Sequence, residues 1–140
     1  MISPLTSAHD APLARDLPLK LVRRTGVPHT ARICVVGDET ARTLQDAGYA
    51  NVHVARRPAA PACQAWIDVG AADDFGNIAL LRGSLLSDGW AILACCADRS
   101  SALLRALGRD FRRRETHLQR RADARGLLRP FDFHVIERTA

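Results

Sequence analysis

The strongest constraint in this chain is a set of apolar runs too short for membrane helices and too continuous for wet-faced strands. Ile33, Cys34, Val35 and Val36 form a run with no polar residue, bounded by Gly37. A strand that carries apolar side chains in both directions must be covered on both faces, as in the centre of a parallel sheet. Trp90 to Cys96, WAILACC, repeats the pattern. Between such runs lie helix-compatible segments. Asp38 or Thr40 can N-cap one that contains Ala41, Leu44, Gln45 and Ala47, and Gly48 is placed to end it.

Extending the reading gives a strand–helix alternation. NVHVA (51–55) is a second strand, followed by the proline-broken RRPAAPA. AWIDVG is a third strand. Ile78, Leu81, Leu85 and Leu86 predict a helix over 75–86, and SDG a turn before WAILACC. Ser100 to Gly108 reads as a helix with Leu103, Leu104 and Leu107 on one face. In FDFHVIER, Phe131, Phe133 and Val135 alternate with Asp132 and His134, which predicts an antiparallel edge strand with one wet face. Segment 109–129 fits one arginine-rich helix, which helix propensity favours, or a strand, ETHLQRR, paired with FDFHVIER as a hairpin, which the family resemblance described below implies and which is expected here. The alternation implies an α/β layered domain with a mostly parallel sheet, helices on both faces and a C-terminal antiparallel strand, an architecture that the same resemblance implies to be Rossmann-like. Residues 1–30, with Pro4, Pro12, Pro18 and Pro28, read as an N-terminal extension, and 31–140 as a single domain.

Composition narrows the function classes. No apolar run approaches the ~20 residues of a membrane span, and the N-terminus has no signal-peptide core, so a cytoplasmic protein with no membrane partner is expected. Cys34, Cys63, Cys95 and Cys96 form no CxxC pair and fall largely in apolar strands, where free cysteine packs as a small hydrophobe. The histidines show no HExxH spacing, so no metal is expected. There is no GxGxxG turn, no P-loop and no GxSxG elbow. A phosphoacceptor receiver domain is disfavoured because the only lysine, Lys20, precedes the first strand. Asp73 and Asp74 read as helix-start caps rather than a general-base pair. Trp66 and Trp90 read as packing residues. His117 and His134 read as solvent-face residues that a hairpin would bring together.

The order of elements resembles the class I S-adenosylmethionine (SAM)-dependent methyltransferases over about residues 31–138. ARICVVGDETARTLQDAGYANVHVA resembles that family's first strand, helix and second strand. AWIDVGAADDFGNIALLRGSLLSDGWAILACC resembles its fourth strand, helix and fifth strand, and RPFDFHVIER its last antiparallel strand. The resemblance implies a cofactor site near Gly37, Asp38 and Asp68, and leaves the catalytic residues unknown. The family's glycine-rich loop lets backbone approach SAM closely, because glycine lacks a Cβ. Here only Gly37 matches, and Asp38 and Glu39 bring negative charge near the methionine carboxylate. The family's ribose-binding acid is replaced by Arg56 or Arg57, and arginine cannot accept a hydrogen bond. The region between the second strand and AWIDVG also lacks the family's further strand and helix.

The resulting expectation is a methyltransferase-like domain that has lost conventional SAM binding, holds no cofactor and acts as a non-catalytic binding or partner module. The alternative is a compact active methyltransferase that uses SAM in an atypical pocket. Self-association is expected through surface exposed around residues 56–66. Nine arginines fall between Arg105 and Arg129, interleaved with Asp110, Glu115 and Asp123. Arg112, Arg113, Arg114, Arg120 and Arg121 are the candidate contacts for an acidic protein or for nucleic-acid phosphates, against the plainer reading of a solvated face.

Overall fold

The computed structural model describes residues 17–56, 61–70, 77–122 and 125–140. Residues 17–25 are helical (α1). There follow β1 (Ile33–Val35), α2 (Asp38–Asp46), β2 (Val52–Val54), β3 (Cys63–Asp68), α3 (Ile78–Ser84) and β4 (Leu85–Cys96). A 3-10 turn (Ala97–Arg99) leads into α4 (Ser100–Leu107), and the hairpin β5 (Phe111–Ala122) and β6 (Leu128–Arg138) closes the chain. The six strands form one sheet in the order β2-β1-β3-β4-β6-β5. β1, β2, β3 and β4 are parallel, and β6 runs antiparallel to both β4 and β5.

The continuous apolarity of β1 has the expected cause. Ile33 and Val35 face one core with α1 and α2, through Leu17, Leu21, Val22, Ala41 and Leu44. Cys34 faces the other core, with Leu81 of α3 and Leu103 and Leu107 of α4. β4 divides in the same way: Ile92, Ala94 and Cys96 join the first core, and Ala91, Leu93 and Cys95 the second. Helix α1 belongs to the first core although its sequence shows little periodicity. All four cysteines are buried, and none forms a disulfide. The thiol of Cys63 is held protonated by its hydrogen bond with Cys34 and by burial.

Several local expectations are corrected. α2 is N-capped by the backbone of Gly37 (φ 105), with no side-chain cap from Asp38 or Thr40. α3 ends at Ser84, and Leu85 and Leu86 belong to β4. The SDG turn is a bulge inside β4: Cys63 pairs with Leu85, but Ala65 next pairs with Trp90. Asp88 there has φ 64. Gly89 is required at this point, because a Cβ would lie 2.7 Å from the Leu86 carbonyl oxygen and 3.0 Å from that of Gln64. Segment 109–129 forms the hairpin rather than a helix, and its first strand takes in Arg112, Arg113 and Arg114 as well.

The strand FDFHVIER is not an edge. β6 lies between β4 and β5, and β5 is the edge. His134 is fully buried, and no wet face exists there. His117 and His134 are not neighbours: His117 pairs across with Phe133 and Thr116 with His134, so the two rings lie on opposite faces of the sheet. No helix among the described residues is long and apolar enough to cross a membrane.

Candidate functional site

In an open parallel sheet, ligands bind beyond the carboxyl ends of the strands, where loops converge. A cleft of about 340 Å³ lies there. One side is Val36, Gly37 and the first turn of α2, with Asp38, Glu39 and Thr40. Val69 and Gly70 follow β3, Pro18 and Leu19 come from α1, and Arg121 reaches in from β5. Four segments distant in sequence therefore build one concavity.

Its electrostatics follow from local folding. Gly37 turns the chain at a positive φ, and α2 begins without a side-chain cap. The orphan N–H groups of that first turn lie at the cleft, where a helix dipole favours negative charge. Asp38 and Glu39 occupy the same turn as its intrinsic acids. Arg121 is held by two contacts. Its Nη1 donates to the Val69 carbonyl at 2.8 Å, and its guanidinium stands over the rings of Phe131 and Phe133, 5.2 and 5.9 Å from their centroids. Among the described residues it forms no ion pair with Asp38 or Glu39.

Gly37 and Asp38 thus line the cleft, as expected from the sequence. Asp68 does not line it. Asp68 follows Trp66 in alternation and turns toward α3, where its Oδ2 accepts a bond from Asn77 Nδ2 at 3.3 Å. Arg121, read from sequence as a partner contact, belongs to the cleft. No local signal could have placed it there, because the placement depends on the β5–β6 register. Arg56, just beyond β2, lies outside the cleft and pairs with Asp38 at 3.8 Å, both side chains more than two-thirds exposed. Arg57, Asp73 and Asp74 lie outside the described residues.

The other arginines divide by strand geometry. Arg114 sits at a bulge in β5 and donates to Glu137 Oε1 through Nε at 2.9 Å. Arg112, Arg113 and Arg120 are exposed on the edge strand, with no ion pair among the described residues. Glu115 is paired with His117 and with Arg24 of α1, both at 2.9 Å, and these contacts hold its carboxyl below the usual range, the His117 bond first.

A second polar cluster lies on the opposite face of the sheet. Ser100 Oγ donates to Asp132 Oδ2 at 2.5 Å and lies 2.9 Å from His134 Nε2. Thr116 Oγ1 lies 3.0 Å from His134 Nδ1. These distances fix the tautomer: with the Ser100 proton on Asp132, the Nε2–H donates to Ser100, and Thr116 donates to Nδ1. Burial lowers the pKa of His134, with Asp132 opposing and Arg113 reinforcing the shift. A serine beside a histidine suggests a nucleophile and its base. Here the carboxylate binds the serine instead of the histidine, and the imidazole has no solvent access, so the cluster is structural.

Comparison with known proteins adds the fold. No family model matches this chain, and no curated protein matches it in sequence. Solved structures do. N-methyltransferase NodS from Bradyrhizobium japonicum WM9 superposes with a TM-score of 0.60 at 10% identity, covering 94% of this chain and 99% of that one. Thermoplasma acidophilum 1320 gives 0.60 at 10% identity, covering 89% and 85%. The precorrin-6y C5,15-methyltransferase from Geobacter metallireducens GS-15 gives 0.53 at 11%, covering 89% and 88%. The chain has the class I SAM-dependent methyltransferase fold. Its departure from the family pattern is at β2, which ends the sheet order at one side. Residues 55–62, between β2 and β3, are too few for another strand and its crossover helix.

Proposed function

We propose that this methyltransferase-fold domain works as a binding module in which conventional SAM binding has been lost. The observation that carries the reading is the extent of the cleft. It adjoins β1, β3, α1 and β5, and none of its lining comes from β2. The ribose of a SAM molecule would rest at the end of β2, where the family supplies an acid. Arg56 stands there instead, its guanidinium 3.8 Å from Asp38. Losing the ribose acceptor and gaining acids beside the ligand carboxylate costs on the order of 1–3 kcal/mol each. At about 1.4 kcal/mol per tenfold, the two together move a micromolar site toward millimolar. Titration calorimetry with SAM and with its demethylated product is the test, and little heat is expected from either. A dissociation constant below about 50 μM for either would overturn the reading.

The competing reading is an active methyltransferase. What favours it is that the N-methyltransferase NodS and the precorrin-6y C5,15-methyltransferase superpose on this chain over most of their own length. In that case SAM would supply the methyl group, the cleft would hold its amino-acid end, and catalysis would rest on positioning.

A partner face goes with the module reading. β5 is a twelve-residue edge strand with exposed Arg112, Arg113 and Arg120. Antiparallel pairing of β5 with itself, centred on Thr116 and His117, would set Arg113 against Arg120. Like charges directly opposite destabilise a strand pair. This edge therefore suits an acidic partner better than a second copy.

A further inference from the structure

Among the described residues β5 pairs with β6 alone, so its outer row of backbone N–H and C=O groups is a template for another strand. The side chains along that edge follow an order. Arg113 and Arg120 are seven positions apart in sequence, an odd spacing that puts two residues of a regular strand on opposite faces. The bulge at Arg114 takes one residue out of the count. Arg113 pairs with Ile136 and Arg120 with Pro130, six positions apart on β6. Both arginines therefore share a face with Thr116, paired with His134, and with Leu118, paired with Asp132. All four side chains are exposed. Leu118 is 61% exposed, and Leu128, on the same face opposite Ala122, is 58% exposed. Along the edge this face runs cation, hydroxyl, leucine, cation.

We propose that β5 takes up an extended segment of a partner protein as a further strand of the sheet. On the face shared with Leu118, that segment carries two acidic side chains six residues apart with apolar side chains between them. The inference rests on the partner-face reading above and states how that partner binds. In strand addition the main-chain hydrogen bonds supply affinity, and alternate side chains select the partner. Side chains directly opposite across a strand pair lie about 4.5–5.5 Å apart. Acids can therefore meet Arg113 and Arg120 while an apolar side chain covers Leu118. Six residues at ~3.3 Å each set the two acids roughly 20 Å apart. On the opposite face of β5, Gln119 is buried and His117 and Arg121 are half-buried, so the added strand needs only small polar side chains there. Base stacking by a single-stranded nucleic acid needs aromatic side chains, and this face of β5 carries none.

The test is fluorescence anisotropy of a labelled peptide titrated with the full chain. In the peptide, threonine alternates with aspartate, leucine, leucine and aspartate in that order, so it reads the same in both directions. Saturable one-to-one binding that weakens as salt rises is expected. Alternate N–H groups of a strand point to its two opposite edges. N-methylation of every second peptide residue should therefore weaken binding at least tenfold in one phase and about threefold or less in the other. Moving one aspartate to the neighbouring position puts it on the wrong face and should cost about two- to fivefold, the worth of one exposed ion pair. Leu118→Thr, which keeps a strand-forming residue, and Arg120→Glu should each weaken binding. Circular dichroism melts show that both variants fold, and the peptide variants test the proposal on the unaltered protein. Equal binding of the two N-methylated phases would refute strand addition, because charge alone would then hold the peptide. A flat peptide titration beside saturable polyglutamate binding would also refute it and leave the acidic-partner reading standing. Flat titrations with both would overturn that reading as well. Tighter binding of oligothymidylate or of phosphatidylserine vesicles than of the peptide would refute the proposal in favour of a nucleic-acid or membrane partner.

Discussion

Replacing Ser100 with alanine should destabilise the fold more than its half-exposed position suggests. The hydroxyl accepts from His134 Nε2–H at 2.9 Å and donates to Asp132 at 2.5 Å. Asp132 is only partly buried and can turn to water. His134 is fully buried and cannot, so Ser100→Ala leaves a ring N–H without an acceptor. Such an orphaned donor costs about 1–3 kcal/mol. Thr116→Val removes the donor to Nδ1, but Thr116 is exposed and water can replace its hydroxyl, so about 1 kcal/mol or less is expected. The assay is urea unfolding followed by circular dichroism. The midpoint should fall and the slope should stay constant, since neither change alters the surface exposed on unfolding. The same cluster sets a pH dependence. Burial lowers the folded-state pKa of His134, while the unfolded imidazole titrates near ~6.5. Below that pH the unfolded chain binds a proton that the folded chain does not, so stability is lost as pH falls from about 6.5 toward 5, by at most ~1.4 kcal/mol per unit. His134→Gln should flatten that slope. A Ser100→Ala variant as stable as the parent, with Thr116→Val the more damaging, would refute the assigned tautomer. A parent protein equally stable at pH 6.5 and 5 would refute the burial argument.

Gly89→Ala should cost about 1–3 kcal/mol, because its Cβ would meet backbone oxygens at 2.7 and 3.0 Å that cannot move without opening the β3–β4 pairing; thermal unfolding measures it. Polyglutamate binding, followed by fluorescence anisotropy, should weaken as salt rises and disappear in a variant carrying Arg112→Glu, Arg113→Glu and Arg120→Glu. Binding that survives those three changes would remove β5 as the partner face.

The sequence by itself determined the elements and their class. Apolar runs without polar interruption are satisfied where helices cover both faces, so the runs that hold β1 (Ile33–Val35) and the second half of β4 (Ala91 to Cys96) were legible as central strands. Gly48 and Gly108, with φ 97 and 87, had to follow helices because other residues adopt that backbone at a cost. Gly37 and Asp38 could be assigned to a ligand region because the end of the first strand is a local feature. Tertiary structure decided everything that depends on which strands are neighbours. The alternation of β6 implied one wet face, but a strand's environment is set by what lies beyond each face and each edge. β5 closed one edge of β6, and the amino end of α4 covered Asp132 and His134. Asp68 could be read as a cleft residue from its place at the end of a strand, yet the two-residue alternation turned it to the far face. Arg121 shows the limit most clearly. In sequence it is one of nine arginines in a basic stretch. Only the β5–β6 register, which sets it over Phe131 and Phe133 and against the carbonyl of Val69, makes it the cation of a cleft built by residues more than fifty positions away.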